Sequence, residues 1–437
     1  MAKDADRVRV VEGKVAPSRQ ARIGQMVLYG SFGLLLFGPL AFGAVEPWSI
    51  LLLETGAALL FGLWAYQQYL NPQVQFVRNP LFLPMLVFAG IVLLQLILRR
   101  SAYRYETLSH AQLYLAYGVL CFLTAQSLRR TSDLTRLAVT FSVYGFAVAL
   151  FALAQSLSSN GKLYWLRTPR FGGWIYGPYV NHNHYAGLME LLLPIPIVLL
   201  ISRRVREGPK MLLAFAALLM ASTIFLSGSR GGMTAFVVQS ALLAIYLGTR
   251  RKSPKTAIAL GSFVLLLGAI LLWLGGSTLA ERLATFHSDA KTEITSGVRT
   301  TINRDGLRMF RERPILGWGL GTFPTVYPQF RSFYTNLFVN EAHNDYLQLL
   351  VEMGALGGLI VFWFLLRTFL AGLQKLRGES MGVNGGLALA TLLACAGILV
   401  HSFVDFNLQI PANAALFYVF ATLAASEPLP ESGRQRA

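Results

Sequence analysis

The sequence predicts an all-α polytopic membrane protein of about twelve transmembrane helices, with one long extramembrane loop that carries amphipathic helices. Three observations predict it. Hydrophobic residues make up 54% of the 437 residues and charged ones 14%, with a mean hydropathy of +0.51, a balance outside the usual soluble range. Apolar runs near the ~20 residues that cross a bilayer recur along almost the whole chain. The period-2 alternation of a barrel strand is absent, and lipid offers no water to unpaired backbone groups, so the runs must be helices.

Taken in order, residues 1–24 form a basic tail. Nine spans follow in a membrane section over 25–275, near 25–45, 49–69, 80–98, 112–127, 134–157, 184–202, 210–228, 231–249 and 257–275. Short connections rich in Arg, Lys, Pro or Gly separate them. The first run is too long for a signal-peptide core and lacks a small-residue cleavage site, so it is expected to remain as an anchor. Residues 276–345 form the long loop, spans near 346–372, 384–402 and 410–426 complete a second membrane section over 346–426, and 427–437 form a second tail.

Basic residues set the orientation, because Lys and Arg in short loops are kept on the cytoplasmic side. Lys3, Arg7, Arg9, Lys14, Arg19 and Arg22 put the amino terminus inside. Arg129 and Arg130, then Arg203, Arg204, Arg206 and Lys210, then Arg250, Arg251, Lys252 and Lys255, then Arg367, Lys375 and Arg377 fall on the same side. An even number of spans makes both termini cytoplasmic and puts the long loop on the outer side. The net charge of +17 is therefore mostly topology plus anionic lipid headgroups, and no nucleic-acid partner is expected. Cys121 and Cys395 are the only cysteines, both inside spans, so neither a disulfide nor a thiolate metal site is implied.

With Arg78, Arg136, Arg434 and Arg436 also counted inside, fifteen of the 38 cations remain on the outer side, and eight of them lie in the long loop. Snorkelling to outer-leaflet phosphates is the plain reading for any single one. Arg230, in "FLSGSRGGM", stands between two apolar runs with almost no loop around it. A cation at that depth faces a cavity or an anion, and the flanking small residues leave room for a large anion. In "SGVRTTINRDGLRMFRERP", Arg304, Arg308 and Arg311 recur at helical spacing. Ile302, Leu307 and Phe310 lie elsewhere, and Pro314 ends the helix. That helix either lies on outer-leaflet lipid or points Arg299, near its start, into the mouth of the membrane section, where a guanidinium fork suits phosphate.

Histidines gather on the same side. His182 and His184 flank Asn183 in "YVNHNHYAGLMELLLP", His401 and Asp405 stand in "HSFVDFNLQIP", and His343 and Asn344 open "HNDYLQLLVEMGALGG". His-x-His without a carboxylate cluster is weak evidence for metal. His343 begins a helix, whose positive end favours anions, with Asn340 as a candidate cap. An imidazole titrates near neutral pH and suits a general base, with Asp345 or Asn344 in reach to orient it. Gly354, Gly357 and Gly358 are expected to form a small-residue face for close helix packing.

His343-Asn344, nine residues, then Gly354 and Gly357 resemble the H-N-x9-G-x-x-G signature of the bacterial O-antigen ligase superfamily. "PYVNHNHYAGLMELLLP", "SGSRGG", the segment from Arg299 to "RERPILGWGLGTF" and "HSFVDFNLQIPANA" resemble that family's other blocks in the same order. The resemblance implies a GT-C-like membrane glycosyltransferase acting at the periplasmic face, with no cofactor. Its donor would be a glycan on undecaprenyl pyrophosphate and its acceptor a sugar hydroxyl of lipid A-core. His343 is then the expected base. Arg299 and Arg230 neutralise the leaving pyrophosphate, and Arg170, Arg304, Asn344, His182, Asn183 and His184 line the substrate site. The loops hold no dense acidic cluster, so a metal-independent, inverting transfer is expected. Polymerase and protein O-oligosaccharyltransferase branches share the signature and stay open. A twelve-helix secondary transporter fits the outline, but neither half repeats the other and the polar groups gather at one face.

Overall fold

A computed structural model describes residues 19–71, 76–128, 130–169, 173–202, 207–250, 296–335, 338–378 and 382–427, with single positions at 262 and 269. The described chain is helical throughout: α1 Arg19–Leu40, α2 Pro47–Tyr69, α3 Phe82–Ile97, α4 Arg104–Ser127, α5 Thr131–Leu157, α6 His182–Leu192, α7 Pro194–Ile201, α8 Glu207–Ser227, α9 Arg230–Arg250, α10 Ser296–Glu312, α11 Phe323–Val326, α12 Asp345–Gly378, α13 Val383–His401 and α14 Pro411–Ala425. Among the described residues, nine helices are long and apolar enough to cross a membrane, with α6 and α7 acting as one. The chain is a multi-pass membrane protein.

Eleven of the twelve expected spans are helices here, and the one near 257–275 lies outside the described residues. Two of the eleven, α3 with 16 residues and α14 with 15, fall short of a full crossing. α4 starts earlier than its apolar run, because Arg104, Glu106 and His110 occupy two polar turns before it. Proline sits at the first turn of α2, α7 and α14, where its missing N–H removes nothing from the helix. Hydroxyls inside the bundle fold back on their own helices, as in Ser31 to Val27 O, Ser142 to Ala138 O and Thr391 to Leu387 O. That return bond satisfies a polar group where lipid cannot.

α6, α13 and α14 form the centre. Every residue of α6 is buried, and nearly all of α14, so both are enclosed on all sides. α2 and α3 stand outside, with Leu51, Leu59, Leu86 and Ile97 exposed toward lipid. Residues 296–345 carry a second small core in which Ile302, Met309, Trp318, Phe323 and Tyr327 close on Val351 of α12. α10 therefore buries Ile302 and Met309 in this core and Asp305 beside Tyr327, and Leu307 is turned out.

The glycines of α12 do something other than the sequence suggests. Gly354 has φ 66 and ψ −171, a conformation nearly confined to glycine, and the helix breaks there. Residues 314–319 fill the break. Ala355 N–H donates to Pro314 O at 2.7 Å and Leu356 N–H to Ile315 O at 3.3 Å. The carbonyls left behind are met by Trp318 N–H to Val351 O at 3.0 Å and Gly319 N–H to Glu352 O at 2.9 Å. A Cβ on Gly354 would strike the Ile315 carbonyl, and one on Gly357 would strike Met353 of its own helix. The expected helix–helix face is thus a helix break with a loop inserted in it, because the backbone angles that separate these two uses of glycine leave no periodic trace.

Candidate active site

The turn between α13 and α14, residues 402–410, holds the centre of the polar cluster. Asp405 N–H returns to His401 O, and the Asp405 carboxylate accepts the N–H of Phe406 at 2.8 Å. This folds the carboxylate back into the protein, where only 1% of Asp405 is exposed. Three cationic or titratable side chains converge on it from three other elements. His343 Nδ1, just before α12, lies 3.5 Å from Oδ1. His184 Nε2, in α6, lies 3.9 Å from Oδ1, and Arg299 Nη1, in α10, lies 3.9 Å from Oδ2. Arg299 also donates to Val404 O at 2.8 Å. The Phe406 ring stands edge-on to both imidazoles, with centroids at 4.8 Å for His343 and 4.7 Å for His184.

Burial by itself would raise the Asp405 pKa. The His343 ring and the Arg299 guanidinium overturn that and hold the carboxyl below the usual carboxylate range. Asp405 is therefore an anion at neutral pH. Four atoms of the cluster, His184 Nε2, His343 Nδ1, Asp405 Oδ2 and Arg299 Nε, are buried without a hydrogen-bond partner. Such atoms are rare in a finished core. Contacts just beyond hydrogen-bond length that close when substrate arrives are characteristic of catalytic groups.

Local structure fixes the imidazole. His343 takes a left-handed backbone, φ 53, which turns the chain sharply into α12. Asn344 then caps the helix, its Oδ1 accepting the N–H of Leu347 at 3.1 Å, so the cap is Asn344 rather than Asn340. Asp345 sews the helix start to the 402–410 turn. It donates its N–H to Ser402 O and accepts from Ser402 Oγ at 2.8 Å, Leu408 N–H at 3.1 Å and Gln409 Nε2 at 3.3 Å. Asp345 is thus committed to the fold, and the carboxylate facing the His343 ring is Asp405. Because Nδ1 faces that carboxylate, Nε2 is the nitrogen left to take a proton.

Arg230 opens α9 at the same end of the bundle, with Ser229 as its cap through the N–H of Gly232. Gly231 lies against the His401 ring and Val404, so a Cβ there would collide with the imidazole. Arg230, exposed at the start of α9, is thus next in the chain to a glycine that packs on the turn carrying Asp405. Behind it, His401 Nδ1 and Glu190 Oε1 form a fully buried pair at 2.7 Å.

The structure brings Arg299, His343 and His184 together on Asp405, and Arg230 lies at the same end of the bundle, one residue before the glycine that meets His401 and Val404. His182 belongs to the other side of α6, where Nδ1 meets Ser227 O at 2.7 Å and the ring stacks on Trp174 at 4.8 Å. Asn183 is buried in the first turn of α6, its N–H on Asn181 Oδ1. Arg304 is exposed on α10, and Arg170 lies outside the described residues. Sequence reasoning left Asp405 and Glu190 without roles. A signal was present: each is the only acidic residue in a long apolar stretch, 381–426 and 171–202 respectively, where a lone charge is costly unless partnered.

A search of curated proteins finds no match to the chain. A family model described as O-Antigen ligase matches residues 215–362. The matched segment holds Arg230, Arg299, His343 and the Gly354 break, and the remaining polar groups of the cluster come from α6 and the 402–410 turn on either side of it. Over residues 215–362, about a third of its length, the chain is similar to the O-antigen ligase family.

Proposed function

We propose that this membrane protein, whose similarity to the O-antigen ligase family over residues 215–362 supports O-antigen-related glycan transfer, moves a glycan from undecaprenyl pyrophosphate to a sugar hydroxyl of lipid A-core. The reaction takes place at the periplasmic face of the inner membrane, and both termini are cytoplasmic. The convergence of Arg299 and His343 on the Asp405 carboxylate carries the reading, because it joins a base to a phosphate-binding fork within one buried cluster.

The acceptor hydroxyl gives its proton to His343 Nε2 as its oxygen bonds to the anomeric carbon. The bond from that carbon to the pyrophosphate oxygen breaks on the opposite face, and the electron pair leaves with the lipid pyrophosphate. One displacement inverts the anomeric centre. Asp405 holds the His343 ring and stabilises the imidazolium that forms. Arg299 and Arg230 neutralise charge growing on the leaving group, and no metal takes part.

A base and a pyrophosphate clamp fail differently. His343→Ala should bind lipid-linked donor normally and lose turnover by about 10²- to 10⁴-fold. Arg299→Ala and Arg230→Ala should lose donor affinity as well, and lysine should restore only part of it, since a point charge does not reproduce the fork. The measurement is donor binding and product formation by detergent-purified variants, with lipid A-core, the glycan itself and a pilin-like protein offered as acceptors. Near-normal turnover by His343→Ala would remove the base assignment.

A further inference from the structure

A second polar recess lies on the far side of α6. The last turn of α5 with Gln155 and Ser156, then Ser159, the 174–177 segment and Leu226 at the end of α8 enclose a cleft of about 250 Å³, large enough for a pyranose ring. Ser156 and Ser159 are exposed at its mouth. Deeper in, two of its lining groups are buried polar atoms with no partner, Gln155 Oε1 and Tyr176 OH, on residues only 2% and 3% exposed.

The walls are held in place by the fold. Tyr176 and Tyr179 exchange backbone bonds at 3.2 and 3.3 Å around Gly177, whose φ of 56 forms the turn. The Tyr176 ring packs edge-on to Tyr185 of α6. Trp174 stacks on His182, and His182 is bonded to Ser227 O, the carbonyl next to Leu226. From there the chain runs through Gly228 and Ser229 to Arg230. The first turn of α6 therefore separates two polar sites, with His182 on the cleft side and His184 on the Asp405 side, one helix width of ~10 Å apart.

An apolar occupant would leave both orphaned atoms unsatisfied, at a cost that buried polar groups do not normally bear. A charged occupant would find no counter-ion among the lining residues. A neutral polyol satisfies both: its hydroxyls can donate to Gln155 Oε1 and accept from Tyr176 OH, while an indole ring at the wall suits the C–H face of a sugar. We propose that this cleft is a saccharide subsite that holds a pyranose ring one helix width from the reacting bond. Resting on the glycan-transfer reading, it would take either the acceptor oligosaccharide or the distal part of the donor glycan, since both present the same hydroxyls.

The test measures equilibrium binding of two free oligosaccharides to the detergent-purified full chain. One is the delipidated core oligosaccharide and the other the glycan repeat released from its lipid. Neither can react, so the result is independent of the catalytic assignment. Tyr176→Phe, Gln155→Leu and Trp174→Ala should each weaken binding about tenfold, the worth of one good hydrogen bond. Loss confined to the core oligosaccharide assigns the cleft to acceptor, loss confined to the released glycan assigns it to donor, and loss of both supports the shared chemistry. Tyr176→Phe also removes an unsatisfied hydroxyl, so a purely structural role predicts equal or higher thermal stability with unchanged binding. Wild-type affinity in all three variants, or no binding of either oligosaccharide by the wild type, overturns the proposal.

Discussion

Asp405→Asn isolates the centre of the site, because it keeps the shape and the bond from Phe406 N–H while removing the charge. In the proposed reaction His343 becomes an imidazolium 3.5 Å from that carboxylate. At this separation two unit charges attract by about 5 kcal/mol for an effective dielectric constant of about 20. With the proton about half transferred in the transition state, roughly half of that is at stake, which corresponds to about 10²-fold in rate. Donor binding should move the other way. Arg299 keeps its bond to Val404 O and loses an anion that competes with pyrophosphate for its charge, so donor affinity should hold or tighten.

The assay is steady-state transfer at saturating donor, with donor binding measured separately on the same preparation and folding checked by thermal stability. A fall of turnover near 10²-fold with intact donor binding supports the pairing of His343 and Asp405. Turnover within about threefold of wild type, less than 1 kcal/mol on the same scale, would show that the carboxylate does not stabilise the reacting imidazole. Parallel loss of donor binding would instead make Asp405 an anchor for Arg299.

The remaining expectations address stability, sidedness and metal. Gly354→Ala should lower stability by about 1–3 kcal/mol or more, through a disfavoured backbone and collision with the Ile315 carbonyl. Gly62→Ala, with nothing within 4 Å of its Cβ, should be harmless, so equal melting temperatures would refute the helix-break account. Asp405 has a lowered folded pKa, so its contribution to stability is full above the unfolded carboxylate value of about 3.9 and fades as pH falls below it. Between pH 6 and 3 the wild type should therefore lose more thermal stability than Asp405→Asn, and identical profiles would refute this. With Cys121 and Cys395 buried, Tyr334→Cys should react with an impermeant thiol reagent in whole cells and Thr249→Cys should not; the reverse pattern would invert the proposed orientation. Transfer should survive EDTA, and loss restored by Mg²⁺ or Mn²⁺ would expose a metal requirement.

The membrane helices were legible because apolar run length and basic punctuation are local properties. α10 was legible too as an amphipathic helix. Which face it buries was not, since Asp305 turns inward to accept from Tyr327 OH, Ser332 and Arg308, and Leu307 turns outward. His343 could be picked out by its place at the polar end of an apolar helix. Its partner could not, because Asp345 is near in sequence and bound elsewhere, while Asp405 reaches the ring only through the packing of α12 against the 402–410 turn. Arg230 and Arg299 drew attention as outer cations, yet only the fold shows that Arg299 shares a carboxylate with His343.

The inserted loop also bears on how the site works. α10 carries Arg299 outside the membrane helices, and such a segment could in principle swing as a lid. Here it is tied down three times: through Arg299 to Val404 O, through Asp345 and the 402–410 turn, and through residues 314–319 in the α12 break. The third tie exchanges backbone bonds. Glu352 O would keep a bond from Gln95 Nε2, but withdrawing the loop would leave Val351 O and the N–H groups of Ala355 and Leu356 unpaired within a membrane helix, and each such group costs several kcal/mol. Lid opening at that energy would be too rare to serve turnover. The placement of Arg299 relative to His343 is instead built in before substrate arrives, which is the condition under which fixed charges stabilise a transition state without paying for their own reorganisation.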